Sequence, residues 1–325
     1  MSAQSPAPIA CASLAPVVAA EALCREHVQV EFALPTFPDS TPGQFLQVLC
    51  RDSEHEHNAV VDWPADGFPS LSGGTLTPPG AFLRRPFSIA DRWTGPDGRV
   101  HLRIISRTVG PGTRWLEHLR PGRVVDITGP LGRGFRIPAE DVALVLVGGG
   151  VGVPPLLYLA RRLHELGRRD VSAFLGVTRR ELLPVLLSAE PRPDGTPTPC
   201  YAWPGGAGFA LAVTSNDGSI GRAGVVTDAL DAWWSGAERR RPTTVFACGP
   251  DAMLRAVARW TRAAGVACQL CIERPMGCGL GTCLSCCVRV RDPATLHGWR
   301  WKLACTDGPV FDRDDLLDYS DMHRA

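Results

Sequence analysis

Cys278, Cys283, Cys286 and Cys305 stand with four, two and eighteen residues between them, within and after the stretch CGLGTCLSCC at 278–287. Thiols at C-x4-C-x2-C…C spacing form the plant-type ligand set of a [2Fe–2S] centre. Gly277, Gly279 and Gly281 fit the same chemistry. A loop wrapped around sulfide must adopt positive φ and aim peptide N–H groups at sulfur. The bland alternatives are a structural zinc site and a chance run of buried cysteines. Zinc normally takes two CxxC-like knuckles, and here only Cys283–Cys286 is one. Cys287 is a further thiol in the loop, but on a strand leaving it the side chain turns to the face opposite Cys286. Cys268, Cys271 and Cys287 are therefore read as non-ligands.

A second group is RRPFSIAD, residues 84–91, followed about twenty residues on by VGPGTRWLEHL. On one strand, Arg85, Pro86, Phe87 and Ser88 offer a cation for phosphate, a fixed turn, an aromatic face and a hydroxyl for a ring edge, which is what a flavin needs. Alone, the pattern is equally an edge strand with a surface arginine. Gly110, Gly112 and Thr113 at a helix start add backbone N–H groups suited to a pyrophosphate. The third group is VLVGGGVGVPPLLYLA, where Gly148, Gly149, Gly150 and Gly152 lie between an apolar strand and a helix. The spacing is GxGxG, not the GxGxxG dinucleotide fingerprint. Cys248, Gly249 and Pro250 end a further strand at the sheet edge where a nucleotide binds. Each glycine turn taken singly could be a packing turn.

The elements that must position these groups fall into three zones. Short β-prone runs separated by Gly/Pro turns, from about Val28 to Phe135, predict an antiparallel barrel. The N-terminal segment before them is expected to be a loose lead-in without a secretory signal. Residues 52–79, polar and rich in Gly, Pro and His, are expected to be an exposed insertion, and 190–208 a surface loop. From Val142, apolar strands alternate with amphipathic helices, which predicts a doubly wound parallel sheet. The cysteine-rich end is too small to fold without a staple. The fold class is multidomain β plus α/β: barrel over 1–138, nucleotide domain over 139–265 and cluster module over 266–325.

Composition does not suit a polyelectrolyte binder. Thirty-four Lys and Arg against 33 Asp and Glu leave a formal charge of +1 over 325 residues, so no field is built for nucleic acid or anionic lipid. The longest uncharged run, Val142–Ala160, is interrupted by GGGVGVPP, and no membrane insertion is expected. Seven of twelve cysteines lie between Cys268 and Cys305, unlike a secreted disulfide framework. This predicts a cytoplasmic protein.

In this order the motifs resemble the ferredoxin–NADP reductase superfamily, and within it the electron-transfer subunits of NAD-dependent (class 1B) dihydroorotate dehydrogenases. The resemblance runs from about Gln44 to Leu317. RPFS matches the family's Arg-x-aromatic-Ser/Thr flavin motif, GPGT its phosphate loop, VGGGVGVPPL, NDGSIGRAGVVTDAL and CGP its nicotinamide motifs, and GCGLGTCLSCCVRV…LACTDGPVF its cluster module. Phe87 stands where a tyrosine is more usual. A related flavin subunit, that of the NADH-dependent ferredoxin–NADP oxidoreductase, has an aspartate as first cluster ligand where this chain has Cys278.

The resemblance implies FAD, a [2Fe–2S] cluster and NAD as cofactors, and an FMN-containing dihydroorotate dehydrogenase catalytic subunit as partner in a heterotetramer. Electrons from dihydroorotate oxidation would pass singly to the cluster, then to FAD, and as hydride to NAD⁺, in pyrimidine biosynthesis. Ser88 would position the flavin's reactive edge. Two rivals stay open: a flavin/iron–sulfur reductase subunit serving another partner, such as a hydrogenase, sulfite reductase, ferredoxin or oxygenase, and a non-enzymatic protein with a zinc-stapled end.

Overall fold

The computed structural model describes residues 10–52, 60–72, 81–138, 142–201, 209–236 and 241–319. The first strand is β1 (Cys11–Cys24), followed by β2 (His27–Leu34), β3 (Phe45–Val48), the short pair β4 (Val60–Asp62) and β5 (Ser70–Ser72), then β6 (Arg85–Thr94), β7 (Val100–Arg107), helix α1 (Pro111–Glu117) and β8 (Val124–Leu131). Six of these close a barrel in the order β1-β2-β7-β6-β3-β8. Period-2 patterning builds its interior: Val28, Val30 and Phe32 of β2 point inward against Leu46, Val48, Ile89, Leu102, Ile104 and Ile127.

β1 corrects the expected loose lead-in. Its residues Cys11–Pro16 pair with β8, and Val17–Cys24 pair with β2, so it is the strand that removes the barrel's open edge. Ala15 and Val17 are buried inside while Leu14 and Val18 are exposed. Its alanines carry little β-propensity, and the inward-facing positions are few, which conceals the strand in the sequence. The insertion at 52–79 contains the β4–β5 hairpin; its residues 53–59 and 73–79 lie outside the described residues, as do 202–208 of the loop expected at 190–208.

The second unit comprises β9 (Ala143–Gly149), α2 (Val153–Glu165), β10 (Val171–Val177), β11 (Ala210–Ser215), β12 (Arg222–Ala223), α3 (Val226–Trp234), β13 (Thr243–Cys248), α4 (Asp251–Ala263), β14 (Ala267–Cys271) and, further on, β17 (Val310–Asp312). The sheet order is β12-β11-β10-β9-β13-β14-β17, parallel except for the last pair. β9 is buried on both faces: Leu144 and Leu146 pack towards Leu156, Leu159 and Leu163 of α2, Val145 and Val147 towards α3 and α4. That two-sided burial explains why the strand reads as one apolar run.

The boundary expected between 265 and 266 falls inside this sheet, because β14 pairs with β13 and β17 with β14. What lies between β14 and β17 is the cysteine loop and a hairpin, β15 (Cys287–Arg291) with β16 (Trp299–Leu303). Its staple is thus partly the nucleotide sheet itself. The barrel docks on α2: Tyr158 donates to the Ser40 carbonyl at 2.8 Å, and Arg161 reaches the buried Asp91 of β6 at 2.9 Å.

Candidate functional site

The C-terminal ends of β9, β13 and β14 open onto a cavity of about 480 Å³ between barrel and sheet. It is lined from the barrel by Phe45, Arg85–Ser88, Ile105–Arg107 and Val109–Thr113, and from the sheet by Val151, Gly152, Pro154, Cys248 and Gly249. The segment leading to the cysteine loop closes it with Cys271–Arg274, Met276 and Pro309. A larger space of about 700 Å³ lies at the opposite strand ends, beside Trp234, Arg241 and Val266, and holds none of the motif residues.

Of the motif arginines, Arg84 is committed to Asp126 at 2.5 Å. Arg85 is exposed and, among the described residues, bonds only to the backbone carbonyls of Leu83 and Arg84. Its guanidinium is the one free to meet a phosphate. Pro86, Phe87 and Ser88 are half-buried, with Ser88 opposite Phe45 on β3. Thr113 spends its hydroxyl on its own loop, accepting from the amides of Val109 and Gly110 at 2.8 and 2.9 Å. It shapes the turn, and since Pro111 has no N–H, the amides left to a ligand are those of Gly112 and Thr113. Gly112 sits in close quarters: a Cβ there would stand 3.1 Å from the Ala81 Cβ and 3.3 Å from the Cys50 Cβ, so these neighbours would have to give by a few tenths of an ångström.

The nicotinamide-side glycines divide. Gly152 lines the cavity, and a Cβ on it would overlap the Cys248 carbonyl and the Gly249 nitrogen. Gly148, Gly149, Gly150 and Pro250 do not line it. Gly148 fits under Leu156 and Leu175, Gly149 lies against Met253 and close to Pro250, and Gly150 turns the chain at φ +52°. Their work is to bring the Gly152 and Cys248 loops together.

Sequence reasoning missed several lining residues. Ser106 is the clearest, because its hydroxyl is buried and has no partner among the described residues. A flavin in the cavity is a group that could satisfy it. Arg107 pairs with Glu26 at 2.8 Å. The signal available was position: Ser106 and Arg107 are the last strand residues before the GPGT loop. Cys271 was read only as a non-ligand, yet it is the register partner of Cys248 across β13 and β14. The neighbouring Cys271 thiol, with burial, raises the Cys248 pKa well above its ordinary value, so it is a neutral thiol.

The four spaced cysteines come together as two contacting pairs. Cys283 lies against Cys278, and its pKa is lowered to about 6, chiefly by the hydroxyl and amide of Ser285 and then by Cys278. Cys305 lies against Cys286, and its pKa is raised to about 12 by burial and then by that neighbour. Cys286 and Cys305 are 2% and 1% exposed, whereas Cys283 and Cys287 are exposed. Leu280 and Cys283 donate their amides to Cys278 Sγ at 3.3 and 3.4 Å. Gly279 and Gly281 have φ of +74° and +88°, and Leu284 takes +59°. Among the described residues no three His, Cys, Asp or Glu side chains converge on the position of a single metal ion. Two thiol pairs beside an amide-lined loop are the kind of donor set that a two-iron centre takes. No helix of the described residues is long and apolar enough to cross a membrane.

Residues 273–317 match the iron–sulfur cluster binding domain of dihydroorotate dehydrogenase B. The chain is 34% identical over 276 residues to the dihydroorotate dehydrogenase B (NAD(+)) electron transfer subunit of Caldanaerobacter subterraneus subsp. tengcongensis, covering 85% of this chain and 87% of that one. It is 37% identical to the same-named subunit of Geobacillus kaustophilus, over 72% of this chain and 80% of the other. A solved NADH-dependent reduced ferredoxin–NADP oxidoreductase is 26% identical with a TM-score of 0.68, covering 94% of this chain and 90% of that chain. That protein shares the barrel-and-sheet frame, while the identities to the subunits are higher and the cysteine segment carries their domain. The chain therefore belongs to the family of dihydroorotate dehydrogenase B (NAD(+)) electron transfer subunits.

Proposed function

We propose that this chain carries electrons between an FMN-containing dihydroorotate dehydrogenase subunit and NAD⁺, in a heterotetramer of two subunits of each kind. The observation that carries this is the single cavity in which the flavin strand, the nicotinamide loops and the start of the cysteine segment all meet. When bound, a [2Fe–2S] centre supplies one-electron transfer, and FAD converts it to hydride exchange with NAD⁺.

The chain's own residues hold and insulate these groups. Arg85 binds flavin phosphate, the backbone amides of Gly112 and Thr113 receive the pyrophosphate, and Phe87 and Ser88 orient the ring, with Ser106 donating its unused hydroxyl. Gly152, Cys248 and Gly249 bring the nicotinamide against it, and the Cys248 thiol, being neutral, adds no charge there. Cys278 with Cys283 and Cys286 with Cys305 hold the two irons. Cys283 and the flanking Leu280 and Leu284, 55% and 60% exposed, present this end of the molecule to the catalytic subunit.

The test is reconstitution. Mixed with the FMN-containing subunit, the chain is expected to support dihydroorotate-dependent reduction of NAD⁺, which neither protein performs alone. NAD⁺ reduction unchanged by leaving this chain out would refute the proposal.

A further inference from the structure

β3 carries a buried amide that the packing of the fold leaves unused. All four of its residues are buried. Alternation sends Leu46 and Val48 into the barrel core and turns Phe45 and Gln47 outward, Phe45 to the edge of the flavin cavity. Gln47 is 1% exposed, and neither its Oε1 nor its Nε2 has a hydrogen-bond partner among the described residues. An apolar side chain of the same size would suit such a position better, because a buried unpaired amide opposes folding.

What Gln47 faces is the cysteine loop. A Cβ on Gly279 would overlap Gln47 Nε2 and stand 2.7 Å from its Cγ and 2.9 Å from its Cδ. Gly279, at φ +74°, is thus fitted both to its turn and to this side chain. It directly follows Cys278, whose sulfur already accepts the amides of Leu280 and Cys283. On the other side, Gln47 is the register partner of Pro86 in the flavin strand. One buried residue therefore touches the cluster loop from the strand next to the flavin motif.

We infer that Gln47 is a positioning residue for the iron–sulfur centre, donating from Nε2 to the sulfurs beside Cys278 and so raising the centre's reduction potential. The inference rests on the cofactor assignment proposed above. The sign follows from charge: reduction adds an electron to the sulfur cage, and a donor stabilises the more negative form. Gln47 carries no proton or electron itself.

The test is an EPR-monitored redox titration of the full chain, purified anaerobically, for the native protein, Gln47→Met and Gln47→Glu. Methionine keeps the volume without a donor; glutamate keeps the shape and adds negative charge. At the native midpoint, the reduced-to-oxidised ratio of the centre is expected to fall about tenfold in Gln47→Met, a midpoint lower by about 59 mV for one electron. It should fall at least as far in Gln47→Glu. Iron and sulfide per chain, and the FAD midpoint, should stay unchanged in Gln47→Met. A native midpoint in Gln47→Met with full iron and sulfide would overturn the inference and leave the cofactor assignment standing. So would a native midpoint in Gln47→Glu if the methionine variant loses iron. Absence of iron and sulfide from the native chain would overturn both.

Discussion

At Gly152 one missing carbon decides whether two loops can meet. The group a Cβ would strike is backbone, the Cys248 carbonyl and the Gly249 nitrogen, which cannot swing aside as a side-chain tip can. Crowding of this kind typically costs 1–3 kcal/mol, so Gly152→Ala is expected to raise KM for NADH about tenfold while FAD stays bound. Steady-state kinetics beside a flavin count checks this; an unchanged KM would mean that Gly152 does not shape the nicotinamide site. The cysteines give a sharper expectation. Cys305→Ser should abolish the visible absorption of a [2Fe–2S] centre and retain one FAD per chain, because the flavin cavity does not include Cys305. An unchanged cluster spectrum would remove Cys305 from the ligand set. Both kinds of residue stand out in the sequence, since spacing and glycine content are what such chemistry would ask for. Ser106 and Gln47 were not. A serine and a glutamine on β-strands carry no spacing signal, and their significance appears only when burial without a partner is seen.

At the scale of elements, the joint between barrel and sheet concentrates charge. Asp91 of β6 is 5% exposed and faces Arg161 of α2 at 2.9 Å and Arg103 of β7 at 3.6 Å. Burial raises the Asp91 pKa despite both arginines. A raised pKa means that the folded chain keeps a proton which the unfolded chain has released. This contribution to stability is therefore complete below the ordinary carboxylate range and is lost as pH rises through the folded value. Asp91→Asn should remove that part of the pH dependence, read as the difference in urea-unfolding free energy between acidic and neutral pH. A difference equal to that of the native protein would contradict the account. The helices and central strands were legible because two-sided burial leaves long apolar runs. β1 was not, since its inward positions are mostly alanine and valine diluted by proline and polar residues. That the sheet runs across 265/266 was hidden for a related reason: β14 and β17 are separated by the whole cysteine segment, and only the fold brings them side by side.

At the scale of the molecule, the cavity brings the flavin strand, the nicotinamide loops and the start of the cysteine segment together, while the cysteine loop lies outside it with two exposed leucines. An exposed apolar pair beside a redox loop is suited to a partner, and truncating anchors of this type usually weakens association tenfold or more. Leu284 sits at φ +59°, a region aspartate tolerates better than leucine. Leu284→Asp is thus expected to weaken binding of the catalytic subunit about tenfold by sedimentation or titration, with reduction of the chain's own flavin by NADH unchanged. Equal binding would place the docking face elsewhere. Whether the chain holds FAD and a [2Fe–2S] cluster together is read from the absorption spectrum of the chain purified without oxygen, taken with counts of iron, sulfide and flavin. A flavin spectrum over the broad visible band of a [2Fe–2S] centre is expected, with two irons and two sulfides per FAD and bleaching by NADH. Zinc in place of iron, with no flavin bound, would contradict it.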